Sequence, residues 1–255
     1  MEGCFLRGTV GILSGDGGLG KSLLLQQLIT ASAIGEKWLG MKTAPCRSLA
    51  VFCEDDPDEL HRRQERINTH YMCGMGDLDP IRMESRSGRD SVMMRFQKWG
   101  DDGNTTPLFD KVWDAAHEHK AHLVILDTVA DVFSGNEIDR NQPRRFVREL
   151  RRLAISLQGV VILTQHPSVD GLNNGTGRSG STGWNNSVRS RIYLTTAKKK
   201  GDDEPSNERV LKTMKNNHAA FGGKINLVWD DGVFVVGQQP APAETDAGDQ
   251  WWKEK

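Results

Sequence analysis

Short apolar runs alternate with amphipathic stretches along the first two-thirds of this chain of 255 residues. The runs have the length of buried strands, and the stretches between them carry apolar residues at helical spacing. Glycine, proline or acidic residues bound the runs and favour turns and helix starts. Strands are predicted at 9–13, 47–53, 81–84, 121–127 and 159–164. Helices are predicted to begin near residues 21, 57, 104 and 141.

This alternation predicts an α/β fold, with a mainly parallel sheet flanked by helices on both faces. The last third is predicted to contain strands and turns only, and to extend the sheet with antiparallel pairs. Its strands are expected at 192–194, 209–214, 225–229 and 233–236, with a tight hairpin turn at 230–232 and a charged hairpin tip at 198–203. We expect one domain over residues 1–237 and a disordered tail over 238–255, in which the role of Trp251 and Trp252 is open.

A glycine-rich turn joins the first predicted strand to the first predicted helix. It fits the phosphate-binding pattern G-x-x-x-x-G-K-[ST] at every fixed position. Its glycines let backbone N–H groups point at phosphate oxygens, and the helix N-terminus favours negative charge. Lys21 can neutralise the β and γ phosphates, and the Ser22 hydroxyl can ligate Mg²⁺. The expected ATP-binding residues are Gly15, Asp16, Gly17, Gly18, Leu19, Gly20, Lys21, Ser22 and Leu23.

Two later strands also end in acidic residues. The strand at 47–53 runs into Glu54-Asp55-Asp56, and Pro57 then suits the first position of a helix that Asp56 caps. The strand at 121–127 ends in Asp127, whose carboxylate can hold Mg²⁺ through water. An aspartate at a strand end is common by itself, but it is informative in combination with a phosphate loop.

Composition limits the other classes. The chain is 37% hydrophobic and 26% charged with a net charge of −1, as in a globular protein without an overall attraction for nucleic acid. Its four scattered cysteines indicate neither a zinc site nor a disulfide framework. Neither a signal peptide nor a membrane-spanning run is recognisable, so we expect a cytoplasmic protein.

Taken together, these motifs resemble the RecA-like ATPase core. The chain is most similar to the RepA-type hexameric replicative helicases of plasmids and their phage relatives, grouped with AAA-type ATPases. The resemblance covers roughly residues 8–236. It depends on the phosphate loop, the segment 51–57, Leu126-Asp127-Thr128, and the block from His166 to Arg191. It implies an ATP- and Mg²⁺-dependent hydrolase that forms a homo-oligomer, expected to be a hexamer, and acts on single-stranded DNA, with other replication proteins as possible partners.

The resemblance also implies roles for individual residues. Glu54 would orient and deprotonate the attacking water, with Asp55 as the substitute. Gln165 and His166 would sense the γ-phosphate. Arg189, with Arg191 as the second choice, would reach the nucleotide of a neighbouring subunit. Lys215 resembles a cation that contacts the neighbour's phosphates, although Asn217 stands where the ring helicases have an arginine.

The glycine-rich loop at 168–183 corresponds to the segment that faces the channel of RecA-like rings. Its expected DNA-binding residues are Asn173, Asn174, Arg178 and Ser179. The helix after residue 141 is rich in arginine; we interpret it as a solvated face covering the sheet, in preference to a nucleic-acid site. A second hypothesis for the whole chain is an ATP-dependent regulatory or assembly switch that binds protein. A small-molecule kinase is a weaker third, because neither a lid nor an acceptor-binding pattern is recognisable.

Overall fold

A nine-stranded sheet with helices on both faces forms the centre of the molecule. The structure, a computed structural model, describes residues 5–168, 171, 175, 177, 182–197, 207–216 and 223–238. The strands of the large sheet are β1 Thr9–Gly15, β2 Ser48–Phe52, β3 Ile81–Ser85, β6 Leu123–Asp127, β8 Val160–Gln165, β9 Ser190–Thr196, β10 Glu208–Asn216, β11 Lys224–Asp230 and β12 Val233–Val236. Three short strands form a separate small sheet: β4 Met94–Arg95, β5 Asn104–Thr105 and β7 Phe133–Ser134.

The described helices connect these strands. They are α1 Lys21–Ile34, α2 Pro57–Tyr71, α3 Pro107–Glu118, α4 Val129–Val132, α5 Asn141–Ser156 and α6 Thr182–Ser187, with a 3₁₀ turn at Met75–Leu78. The cap of α2 is as predicted, because the Asp56 carboxylate accepts from the Glu59 backbone N–H at 2.7 Å and Pro57 is the first helical residue. This cap fixes where the chain leaves the acidic cluster.

The order of strands across the large sheet is β12-β11-β10-β9-β1-β8-β6-β2-β3. Every pair from β9 to β3 is parallel, whereas β9 to β12 pair in antiparallel fashion. The α/β fold class and the antiparallel C-terminal strands predicted from the sequence are therefore confirmed. The carboxyl ends of the parallel strands lie at one edge, which is where ligands bind in open α/β sheets.

Alternate strand residues divide the core into two layers. Val124 and Leu126 of β6 face the layer that contains Phe146 and Leu150 of α5. The residues between them, such as Ile125, face the layer that contains α1 and α2. Because both faces are covered, the central strands read as continuous apolar runs, which is why the sequence revealed them.

Three predictions about local structure were wrong. Residues 104–105 form strand β5, and the helix predicted to start there begins at Pro107. The last third is not strand and turn alone, because Thr182 and Gly183 begin α6. In addition, β9 joins the sheet parallel to β1, so the antiparallel extension begins one strand later. The charged tip at 198–203 and the tail after 238 lie outside the described residues.

Candidate active site

Four strand ends bring the predicted site residues to one edge of the sheet. In the order β1-β8-β6-β2, Ser14 pairs with Gln165, and Phe52 pairs with Asp127. The phosphate loop follows β1, and Glu54 lies two residues beyond the end of β2. Residues far apart in the chain therefore meet because their strands are neighbours and parallel.

The phosphate loop leaves the N-terminus of α1 free to bind an anion. Gly20 caps α1 without a side-chain hydrogen bond, and the first turn contains no acidic residue. The uncapped N–H groups and the helix dipole both favour a phosphate group at this position. Gly18 and Gly20 have φ angles of 69° and 93°, which L side chains rarely adopt. The two glycines are therefore needed for the shape of the loop.

Lys21 folds back onto the loop. Its Nζ donates to the carbonyl oxygens of Gly15 at 2.9 Å and Asp16 at 3.0 Å. Burial lowers the pKa of Lys21, and the carboxylates of Asp127, Glu54 and Asp16 oppose that shift. The ammonium group is thus held by two neutral oxygens among carboxylates, where a triphosphate would be a better partner.

Asp127 is the most buried carboxylate of the site, with 3% of its surface exposed. The hydroxyl groups of Thr164 and Ser22 donate to it. The pKa of Asp127 is raised to about 6, mainly by burial; the hydroxyl groups of Ser22 and Thr164 oppose the shift, and the charges of Asp55 and Glu54 add to it. The two residues predicted to serve Mg²⁺, Ser22 and Asp127, are therefore in contact.

The donor set fits a magnesium ion. A hydroxyl and a buried carboxylate are hard oxygen ligands, and the negative surroundings of Asp127 favour a cation. The described residues contain no group of three or more His, Cys, Asp or Glu side chains arranged for a metal. A magnesium ion held by Ser22 and Asp127 would thus take its remaining ligands from phosphate and water, as Mg²⁺ usually does. When bound, it would neutralise charge on the phosphates.

The structure separates the two candidate carboxylates of the acidic cluster. Asp55 forms a bidentate pair with Arg63, at 2.6 and 3.0 Å, and Arg63 also donates to Glu59 at 2.6 Å. Glu54 is exposed, and its carboxylate lies 3.9 Å from the Nε2 atom of His166. Asp55 is occupied in a structural ion pair, so Glu54 is the carboxylate that remains available to a water molecule.

Gln165 and His166 lie beside the loop at the end of β8. The Nε2 atom of Gln165 is buried and has no hydrogen-bond partner. The Nδ1 atom of His166 lies 3.5 Å from Nζ of Lys21. Burial lowers the pKa of His166, and Lys21 lowers it further. A neutral His166 can accept from Lys21 at Nδ1 and direct its Nε2–H toward Glu54. The buried, unpaired amide of Gln165 is a donor that a phosphate oxygen could satisfy.

Arg189 and Lys215 lie at the opposite side of the sheet, where the parallel strands β1 and β9 begin. The Arg189 backbone N–H donates to the carbonyl of Val10 at 3.2 Å, near the start of β1, and its side chain is exposed. Lys215 pairs in register with Arg191 and donates to the carbonyl of Asn185 at 2.6 Å. Burial lowers the pKa of Lys215, and Arg189 and Arg191 lower it further. The three cations form one cluster that is remote from the phosphate loop, and Arg191 is buried within it.

The predicted DNA-binding residues Asn173, Asn174, Arg178 and Ser179 lie outside the described residues, as does Asn217. Their assignment remains a prediction.

Sequence reasoning missed several residues that position the site. Thr164 holds Asp127, and Arg63 holds Asp55. The signal for Thr164 was a polar residue at the end of an apolar strand next to Gln165. Gln27 and Phe234 give no local signal, because they meet only when β12 packs on α1: Gln27 bonds the backbone of Phe234 at 3.0 and 2.9 Å, and the Phe234 ring lies against Gly20.

The comparison with protein families agrees with this geometry. A family model described as an AAA domain (AAA_25) matches residues 1–171, which include the phosphate loop, Glu54, Asp127 and Gln165. The chain belongs to the AAA domain family. Membership in the AAA domain family supports ATPase activity through a P-loop, and the family generally uses ATP and Mg²⁺. No curated protein matches the chain. Within the described part of this AAA domain protein, none of the helices has the length and apolar character of a membrane span.

Proposed function

We propose that this AAA domain protein is a ring-forming motor that hydrolyses ATP and acts on DNA, as a replicative helicase of RepA type. One protomer would bind MgATP through its phosphate loop, Ser22 and Asp127. Glu54 would deprotonate the attacking water, and the Gln165 amide would donate to the γ-phosphate. The ring itself would come from copies of this chain, six in a RepA-type assembly.

The observation that carries this proposal is the separation between Arg189 and the phosphate loop. The backbone N–H of Arg189 donates a hydrogen bond to the carbonyl of Val10, whereas the phosphate loop follows Gly15 at the far end of β1. Five residues of β1 span about 16 Å, which is further than an arginine side chain reaches. An exposed arginine beside Lys215, too far from its own nucleotide, is well placed to serve the nucleotide of another copy. A guanidinium there would stabilise the charge that spreads over the γ-phosphoryl oxygens.

The Arg189→Ala variant tests this arrangement. We expect ATP turnover of the wild-type protein, measured per subunit, to rise with protein concentration as copies assemble. Arg189→Ala should lower that turnover about 10³-fold while ATP binding is kept, because a trans-acting arginine contributes to the transition state. Arg152→Ala is the matched control, since Arg152 is exposed and lies on α5. Turnover that is independent of concentration and unaffected by Arg189→Ala would rule out the shared site.

The choice of DNA as the substrate depends on the loop at 168–183. Addition of single-stranded DNA should stimulate ATP turnover, and the stimulation should weaken as salt is raised. Arg178→Ala should reduce the stimulation and leave turnover without DNA unchanged.

A second candidate function is an ATP-dependent regulatory or assembly switch that binds protein. The net charge of −1 favours it, because most DNA-binding proteins are more basic. The same experiment separates the two, since a switch of this kind would hydrolyse ATP at a rate that single-stranded DNA does not change.

A further inference from the structure

A groove of about 870 Å³ runs between helices α5 and α6, on the face of the sheet opposite to α1. Its α5 wall carries Arg144, Arg148 and Arg151, with Arg140 directly before the helix, and its α6 wall carries Asn186 and Ser187. No acidic side chain is among the described residues that line it. The arginines that the sequence indicated as a general solvated face are therefore concentrated in one concave surface.

Helix geometry explains this concentration. Arg144, Arg148 and Arg151 are spaced i, i+4 and i+7, so they form one stripe along the helix. The opposite side of α5 is anchored in the core through Phe146 and Leu150, neither of which is exposed. Seven residues of helix rise by about 10 Å, so the stripe presents a row of positive charge along the groove and not a single point.

Several of these arginine side chains have no partner among the described part of the chain. Arg145 pairs with Asp102 at 2.5 Å, and Arg148 contacts Glu149 at 3.3 Å. The side chains of Arg140, Arg144 and Arg151 are exposed and form no ion pair or hydrogen bond with the residues that the structure describes. Unpaired guanidinium groups in a row favour a ligand with regularly repeated negative charges.

We infer that the α5–α6 groove binds the phosphodiester backbone of single-stranded DNA, through residues other than the predicted contacts Asn173, Asn174, Arg178 and Ser179. The inference rests on the proposed action on DNA and adds a second contact to it. Guanidinium groups are well suited to bind phosphate, and Asn186 adds a neutral amide donor to the other wall. No described residue lining the groove is aromatic, so the contacts are to phosphate and not to base faces, and binding is insensitive to sequence.

Arg189 lies at the end of the groove, beside the last residues of α6. It is left out of the DNA site, because the proposed ATPase uses it across a subunit boundary. This division makes the two proposals separable by mutation.

The test compares two double variants that each remove two exposed arginines. Arg144→Gln/Arg151→Gln changes the groove, and Arg62→Gln/Arg152→Gln removes two arginines that do not line it. Binding of a fluorescently labelled oligothymidylate of 30 nucleotides is measured by fluorescence anisotropy over a range of salt concentrations. Mg²⁺ and a non-hydrolysable ATP analogue are present throughout. Thermal unfolding followed by circular dichroism checks that both variants fold like the wild-type protein.

For each protomer that contacts the strand, the groove variant should reduce the slope of log K against log salt by about 1.4, since each phosphate contact to a single strand contributes about 0.7. At 0.1 M salt this corresponds to binding about 25-fold weaker. The control variant should bind like the wild-type protein.

Three other results would overturn the inference, each in a recognisable way. Unchanged affinity and salt slope in the groove variant would exclude the groove as a DNA-binding site and leave the motor proposal unaffected. Loss of ATP turnover without DNA would assign the groove to contact between subunits. Failure of the wild-type protein to bind oligothymidylate, together with groove-dependent binding of polyglutamate, would reject the action on DNA and indicate an acidic protein partner.

Discussion

At the scale of single residues, the site is a set of carboxylates that the fold treats differently. Asp55 is neutralised by Arg63, Asp127 is buried under two hydroxyl groups, and Glu54 is left exposed beside His166. The environment therefore separates a structural carboxylate, Asp55, from the two that we propose for metal binding and catalysis, Asp127 and Glu54.

The roles of Glu54 and Asp55 can be separated by neutral substitutions. Glu54→Gln should retain ATP binding and lose about 10² to 10⁴ in turnover, as expected when a general base is removed. Asp55→Asn should keep most of its turnover and lose stability, because Arg63 then lacks its bidentate partner. Filter binding of ATP and steady-state phosphate release measure the two properties. Loss of turnover in Asp55→Asn with retention in Glu54→Gln would exchange the two assignments.

The buried charge of Asp127 predicts a conflict between stability and function. The pKa of Asp127 is raised from 3.8 to about 6 in the folded protein. Between these two pH values the folded state therefore binds the proton more tightly than the unfolded state does. Raising the pH through this window therefore removes stability. Without nucleotide or Mg²⁺, the free energy of unfolding of Asp127→Asn at pH 7.5 should exceed that of the wild-type protein by about 3 kcal/mol, and the difference should largely vanish near pH 4.

Urea unfolding at the two pH values measures this difference, and phosphate release at pH 7.5 should show that Asp127→Asn has lost turnover. A variant as stable as the wild-type protein at both pH values would show that the carboxylate is already compensated without a cation.

At the scale of elements, the phosphate loop depends on the last described strand. The Gln27 side chain of α1 bonds both the N–H and the C=O of Phe234 in β12. The nearest carbon of the Phe234 ring is 2.5 Å from the position that a Cβ atom at Gly20 would occupy, so a side chain there would clash with the ring. Strand β12 therefore supports the start of α1, and phosphate binding is expected to depend on that part of the helix.

Gln27→Ala should expose this dependence. It leaves two buried backbone groups of Phe234 unpaired, which should cost about 2–4 kcal/mol in the free energy of unfolding. ATP affinity should fall as well, because β12 no longer fixes Gly20. Gln26→Ala is the control: Gln26 is equally buried on α1, but it bonds Leu60 and Gln64 of α2. Equal effects of the two variants on ATP affinity, in calorimetric titrations, would mean that β12 has no special role.

The same elements show what the sequence can reveal. The phosphate loop, the cap at Asp56 and the strand ending at Asp127 depend on local patterns, so their positions could be predicted. The ion pair of Arg63 with Asp55 joins residues eight positions apart, of which Asp55 precedes helix α2, so helical periodicity does not reveal it. The contact of Phe234 with Gly20 depends on packing between distant segments. No periodicity reports such packing. The small sheet of β4, β5 and β7 was missed because two-residue strands are too short to show alternation.

At the scale of the whole molecule, the two parts of the proposed catalytic site lie at opposite edges of one sheet. Mixing inactive variants tests whether two copies complete it. Glu54→Gln keeps an intact Arg189, and Arg189→Ala keeps an intact Glu54. In a random equimolar mixture about a quarter of the head-to-tail contacts would combine both intact parts, so turnover should recover to about a quarter of the wild-type value. Each variant alone at the doubled concentration is the control, and a mixture no more active than its components would contradict head-to-tail assembly.

The support of Gly20 by Phe234 also bears on synthesis. A chain emerging from the ribosome presents its glycine turn early, more than two hundred residues before the aromatic ring that backs it. Until Phe234 has been synthesised, the nascent chain contains the sequence of the phosphate loop but lacks the ring that packs against Gly20. The ability to bind ATP is therefore acquired only after Phe234 has been synthesised, and a chain terminated before that residue would not compete for the cell's nucleotide.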